Sequence, residues 1–426
     1  MRHKTEINLV KTLLIISVSL FVTPSIFADA VNQRYSINFA PNPSSVAQLE
    51  FYHILVSRFE RQYPQVDVHI NSQMMESHKQ RVADFNQGNT QDIDVMLAFA
   101  GTQLESLIRS GHIAAIDEVW FKHDLDNVFP YSTKQMVSIE GQPFAIPLAY
   151  YQWGFYYRKS FFQRWGLSEP ENWEQFLATI KQLATVVDSP LNFSGANPWT
   201  TLAWFDYLSL RLLGREYYLE LMAGSRSFNT PEVANVFEHW QQLIQAGAFD
   251  PVHKGLSWQQ SLPFFYRGKT ALMLQGNFFL ADAPESLLSD IGFFPFPRMR
   301  VDMPNYEIAP MDTVVMASHA KDKPFVKEFL VFLSLHETQT FFSEYVDVIS
   351  PRSDYQPNNN YLLQVGAELL HNADGLVQYF DRETDPEFTR IAGETFVTFM
   401  SGEITVEMVL TKLESARQMY LLKPSS

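Results

Sequence analysis

The sequence predicts an α/β protein of two lobes. Three observations carry this. Strand-like and helix-like stretches alternate from residue 34 to residue 111, the pattern of strands joined by helical crossovers in a mainly parallel sheet. The same alternation restarts after an aromatic-dense stretch at 148–165. Finally, 426 residues are more than one core of ordinary size organises, so the chain divides.

"RYSINFA" (Arg34–Ala40) reads as the first strand, and "PNPSS" leads from it into a helix. In that helix Val46, Leu49, Tyr52, Val56 and Phe59 recur at helical spacing until Pro64 ends the run. "VDVHI" (Val66–Ile70) is the second strand, and a polar helix follows around Lys79–Asn86. "DIDVMLAFAG" (Asp92–Gly101) is mostly apolar, as a strand covered on both faces must be. A helix holding "QLESLIRSG" stops at Gly111.

In the second half, Asn172 followed by Gln175 resembles a capping box before "WEQFLATIKQLATVV", whose Phe176, Ile180, Leu183 and Val187 form one apolar face. Helices are expected at about 201–213 and 231–246, and strands at Lys269–Phe279, Ile291–Pro297 and Thr313–Ser318. The helix "KPFVKEFLVFLSL" comes next, "SPRSDY" (Ser350–Tyr355) is a short extended crossing, and the remainder is helical.

Residues 1–30 read as a signal peptide. Arg2, Lys4 and Lys11 precede the apolar run Leu13–Val22, Pro24 breaks it, and Ala28-Asp29-Ala30 offers a small-residue cleavage site. The run is short for a membrane span. The chain has no cysteine, which excludes a disulfide scaffold and a lipid-modified N-terminal cysteine. The expectation is a free periplasmic protein. Of 32 basic and 47 acidic residues, 29 and 45 remain after position 30, so nucleic acid and anionic membrane are excluded as partners. The histidines are scattered without metal-ligand spacing, no nucleotide or zinc motif occurs, and no cofactor is expected.

Nine aromatic side chains lie between Tyr150 and Trp165. Strand alternation sends Trp153, Phe155 and Tyr157 to one face and Gly154, Tyr156 and Arg158 to the other. Phe155, Tyr156, Phe161 and Phe162 read as core. Tyr150 and Tyr151 precede the strand and read as cleft wall, with the boundary between the two roles near Trp153.

Six passages, in order, carry a resemblance: "FERQYPQVDVHI", "DIDVMLAFAGTQLESLIRSGHIAAIDE", "GQPFAIPLAYYQWGFYYRKSFFQRWGL", "GKTALMLQGNFF", "IGFFPFP" and "ISPRSD". Over nearly the whole length after residue 30 the chain resembles family 1 extracellular solute-binding proteins, the maltose-binding-protein-like receptors of ABC importers. The resemblance implies a periplasmic binding protein fold with a ligand cleft between the lobes. It implies an N-lobe of residues 31–148 plus 298–350 and a C-lobe of residues 149–297 plus 351–426. It also implies a monomer that delivers a small-molecule sugar to membrane permease subunits.

Loops at strand ends are where open α/β sheets bind ligands. On that basis the candidate ligand residues are Asn42, Ser44, Phe99, Gly101, Tyr150, Tyr151, Trp199, Asp206, Trp258, Gly276, Asn277, Asp312 and Arg352. Aromatic rings suit the C–H face of a pyranose, and amides and carboxylates suit its hydroxyls. Asp312 and Arg352 also read as an inter-lobe ion pair, and Asp206 as a partner of Arg211 on its own helix. The three charged residues together also suit a polyol.

Alternatives stay open. A polyol phosphate needs several convergent cations, and among the candidates only Arg352 is basic. A glycoside hydrolase needs two carboxylates at a set separation, for which Asp206 and Asp312 are the available pair. A sensor subunit of the same fold is compatible with every feature above.

Overall fold

The computed structural model describes residues 33–89, 92–357 and 360–422. The expected signal peptide lies outside the described residues. Eleven strands matter for the site: β1 (Tyr35–Ala40), β2 (Val66–Ile70), β3 (Val95–Phe99), β4 (Ala145–Tyr150), β5 (Trp153–Arg158), β6 (Ser189–Asn192), β7 (Thr270–Gly276), β8 (Ile291–Phe294), β9 (Tyr306–Ile308), β10 (Met311–Met316) and β11 (Gly375–Val377).

Two sheets form, one per lobe. The first has the order β2-β1-β3-β10-β4 and the second β8-β5-β7-β6. In the first, β1 runs parallel to β2 and β3, while β10 is antiparallel to both β3 and β4. In the second, β6 and β7 are parallel and β5 is antiparallel to β7 and β8. Each sheet therefore has one reversed strand. Both reversed strands, β5 and β10, are entered by the chain from the other lobe. The mainly parallel sheets flanked by helices agree with the predicted fold class.

The local signals act as expected. Ser45 caps the helix Val46–Gln62 by accepting from Gln48 N, and Asn172 caps Trp173–Leu183 by accepting from Gln175 N. The Gln175 side chain departs from a capping box, since its Oε1 accepts from Glu171 N rather than from the cap residue. That helix ends at Leu183, so Val187 lies beyond the apolar face assigned to it. All five residues of β3 are buried, as a doubly covered strand requires. The helix Trp199–Leu212 is buried along its whole length, its polar Asp206 and Arg211 included.

The aromatic stretch divides as predicted at Trp153, but Tyr150 belongs on the core side. Phe155 is fully buried, with its ring centroid 4.6 Å from Phe176 and 5.2 Å from Phe294. Tyr150 turns into the first lobe, where its hydroxyl meets Thr133 Oγ1 at 3.0 Å. Its backbone is already paired with Ile349, and that pairing fixes which way the side chain points.

The lobes are joined by three crossings that touch one another. Tyr150 N donates to Ile349 O at 2.7 Å, and Tyr151 N donates to Pro310 O at 3.2 Å. Asn277 N donates to Gln152 O at 3.0 Å. Residues after Pro297 stay with the second sheet for another turn of chain. Arg298 N donates to Glu171 O, Arg300 to Leu212 O, and Glu307 forms a buried ion pair with Arg211. We therefore place the second crossing at Ala309–Pro310, later than the boundary at 298 that the sequence suggested.

Phe155→Ala removes a ring from the centre of the second lobe's core. It is expected to cost about 3–5 kcal/mol of stability, read from the midpoint of chemical denaturation.

Candidate functional site

A pocket of about 570 Å³, counting its open mouth, lies between the lobes. Its polar side comes from Asn42, Ser44, Gln48, Lys79 and Asp312 of the first lobe. Its aromatic side comes from Trp153, Trp199, Phe278 and Tyr379 of the second, with Tyr151 of the crossing at the floor. Phe99, Pro310, Asp381 and Arg382 complete it.

The aromatic wall is built in layers. Trp153 lies 4.5 Å from Tyr379 and 5.9 Å, edge to face, from Trp199. Phe278 packs edge-on against Tyr151 at 5.7 Å and Trp258 at 5.4 Å. Such edge-to-face packing fixes ring planes while leaving faces for a ligand.

Asp312 is the polar anchor. It is the second residue of β10 and is 4% exposed. Tyr151 Oη donates to its Oδ2 at 2.5 Å, and Arg382 Nη1 stands 3.7 Å from its Oδ1, which has no hydrogen-bond partner. Burial raises the Asp312 carboxyl above its ordinary range, while the Arg382 charge and the Tyr151 hydroxyl oppose the rise. Burial likewise pushes the Tyr151 hydroxyl well up, with the Asp312 charge adding to it. Tyr151 therefore stays a donor at neutral pH.

Charge in the pocket balances. Lys79 Nζ meets Asp381 Oδ2 at 3.3 Å, and Arg382 faces Asp312. The Arg382 guanidinium also covers the Phe99 ring at 3.7 Å from its centroid, which removes that face from stacking with a ligand.

The structure brings together Asn42, Ser44, Phe99, Tyr151, Trp199 and Asp312 of the sequence candidates. It places the rest elsewhere. Gly101 caps the helix Thr102–Arg109 at φ +90°, and a Cβ there would come within 2.5 Å of the Arg382 carbonyl oxygen. Gly276 sits behind the wall, where a Cβ would reach 2.8 Å from Trp153 Nε1. Trp258 is a second layer beneath Trp199 and Phe278. Asn277 donates its amide to Asp347 O across the lobe junction.

Three charged assignments are corrected. Arg352 does not pair with Asp312; its guanidinium forks onto Asp354 at 2.8 Å for both bonds and caps Ser334 O. Arg211 does not pair with Asp206 either, because it is taken by Glu307. Asp206 is fully buried and accepts from Tyr218 Oη at 3.1 Å and from Phe380 N at 3.2 Å. It holds the loop that carries Tyr379, Asp381 and Arg382, so it supports the pocket without facing it.

That loop is what sequence reading missed. It follows β11 in a region read simply as helical. The signal available was "QYFDRE" (Gln378–Glu383), a break in helical periodicity with adjacent opposite charges. Gln378 pins it, with Nε2 donating to Ala309 O and Oε1 accepting from Met311 N, both at 3.1 Å.

The profile of bacterial extracellular solute-binding proteins matches residues 42–340. The chain belongs to that family. An uncharacterized ABC transporter extracellular-binding protein of Pyrococcus horikoshii is 23% identical over 330 residues, which is 72% of this chain and 73% of the relative. Among solved structures, the bacterial solute receptor AcbH is similar at a TM-score of 0.84 and 24% identity, covering 91% of this chain and 99% of that one. That receptor has an exclusive substrate preference for β-D-galactopyranose. A chitin oligosaccharide binding protein is similar at a TM-score of 0.83 and 18% identity, covering 92% and 100%. These likenesses to solute-binding proteins establish the two-lobed receptor fold.

The Asp206 carboxyl is raised well above its ordinary value by burial. The folded protein thus keeps a proton that the unfolded chain releases. Stability from this group is fully present below about pH 4, the ordinary aspartate value, and is lost as pH rises through the folded value. Asp206→Asn holds no such proton and keeps an acceptor for Phe380 N. Its denaturation midpoint is expected to fall less than the wild type's between pH 4 and pH 7.

Proposed function

We propose that this protein captures an uncharged sugar of one or a few rings between its lobes and hands it to the membrane subunits of an ABC importer. The single observation that carries this reading is the division of the pocket, with indole and phenyl rings on one lobe facing hydrogen-bonding groups on the other. A pyranose has the matching division, an apolar C–H face and an equator of hydroxyls. The Asp312 Oδ1 atom supplies a buried acceptor with no hydrogen-bond partner among the described residues, which a hydroxyl donor would satisfy with a charge-assisted bond.

The charge balance supports an uncharged ligand. Lys79 and Arg382 bring two cations to the pocket, where the sequence offered only Arg352, yet each faces its own carboxylate. A phosphate would have to break those pairs. The sugar-binding names among the similar structures support the same class. On this reading residues 1–30 direct export to the periplasm. Among the described residues the first lobe is then 33–150 with 311–349, and the second is 151–310 with 350–422.

A panel of neutral sugars, sugar phosphates and amino acids tests the reading by thermal shift. A ligand at a hundred times its dissociation constant adds about 2.7 kcal/mol to stability. A neutral sugar is expected to raise the melting temperature; a shift given by phosphorylated ligands alone would overturn the proposal. Asp312→Asn should weaken sugar binding by about 1.5–3 kcal/mol in calorimetry, with only a modest change in melting temperature. Normal affinity with much earlier melting would instead make Asp312 a structural group.

A further inference from the structure

Asp381 and Arg382 are adjacent in the chain, opposite in charge, and both reach the other lobe. Their anchorage differs. Arg382 lies beside the Ala309–Pro310 crossing, where its Nη1 is 3.4 Å from Met311 O and 3.7 Å from Asp312 Oδ1. Gln378, four residues earlier, is bonded to the same crossing. A hinge motion displaces a group in proportion to its distance from the hinge, so Arg382 keeps its neighbours as the lobes part.

Asp381 reaches further. Its partner Lys79 sits on the helix Met75–Asn86, whose Arg81 holds Asn71 at the end of edge strand β2. In the sheet order, β2 is the strand farthest from β4, which leads into the first crossing, and three places from β10. The 3.3 Å contact between Lys79 and Asp381 therefore joins the lobes across the pocket through a helix that is not itself part of a crossing. Their side chains are 33% and 16% exposed, so the pair is shielded enough to attract yet still open to screening by salt.

We propose that the Lys79–Asp381 ion pair is a closure latch, formed when the lobes meet and setting how long they hold the ligand. The two residues are positioning residues for retention. The proposal rests on the reading that capture closes the lobes over a sugar, and it adds the group that holds them shut. It also explains the sequence order: Arg382 secures the loop at the hinge, and Asp381 is presented from that fixed loop to the far lobe.

The absence of cysteine allows a clean test. Dyes on Phe121→Cys and Val252→Cys, both strongly exposed, report lobe separation by energy transfer. In the ligand-free protein, raising salt from 20 mM to 1 M or introducing Asp381→Lys is expected to lower the closed population. Combining Lys79→Asp with Asp381→Lys should restore it. For the sugar that closes the wild type, Asp381→Lys should speed dissociation about three- to tenfold, and the swapped pair should bring it back. Circular dichroism melting confirms that each variant folds. Unchanged closure and dissociation in Asp381→Lys would overturn the latch. So would a weakened single variant that the swap fails to rescue, since that marks direct contact with the ligand. If no sugar closes the wild type, the transport reading fails, while the salt and swap responses of the ligand-free protein still decide the latch.

Discussion

Three crossings hydrogen-bonded to one another at a single place constrain everything else in this molecule. Because Tyr150 is paired with Ile349 and Tyr151 with Pro310, the lobes cannot slide past each other without breaking backbone bonds. Rotation about the line of crossings remains the available motion, as in other hinged binding domains. The same constraint positions the pocket. Tyr151 lies on the first crossing, Pro310 on the second, and Asp312 two residues beyond it, so the floor of the cleft is made by the hinge itself. A bond from Tyr151 to Asp312 ties the pocket's buried carboxylate to the hinge.

The aromatic stretch that stands out in the sequence owes its division to this geometry. Up to Tyr150 the backbone belongs to β4 and its side chains face the first lobe's interior. The backbone of β5 begins at Trp153, and from Phe155 onward its side chains pack into the second lobe's core. Only the residues between, Tyr151 and Trp153, are set where neither sheet covers them. A run of aromatic residues crossing a hinge thus contributes two rings to the pocket and the rest to two cores. Burial of those rings stabilises the lobes separately, which lets the space between them open without loss of fold.

Much of the fold was legible because local signals agree with the global one. Val95–Phe99 is apolar throughout and becomes a doubly covered strand, and Ser45 and Asn172 cap the helices they precede. The pocket was legible where it lies at strand ends, as at Asn42, Phe99 and Asp312. It was illegible where charge partners are set by tertiary contact. Arg352 and Asp206 looked free to face a ligand and Arg211 looked like the partner of Asp206, yet Asp354, Phe380 N and Glu307 claim them. Those partners lie from 2 to 174 residues away in the chain, and no periodicity announces the distant ones. The loop Gln378–Glu383 was hidden for the same reason, since its place against Ala309 and Met311 is a property of the folded chain.

The carboxylates of the pocket also bear on the hydrolase alternative. Glycosidic cleavage needs one carboxyl that carries a proton and a second that does not, flanking the same bond. Here Asp206 is walled off beneath the loop by Tyr218 and Phe380 and cannot flank anything in the cleft. The carboxylates that do line it, Asp312 and Asp381, each have a cation as neighbour, and burial holds the Asp312 carboxyl above its ordinary range in spite of Arg382. Paired in this way, both present oxygens that can accept hydrogen bonds from hydroxyls. With Asp206 held beneath the loop, the carboxylate pair that the sequence offered for hydrolysis, Asp206 and Asp312, is not assembled in the cleft.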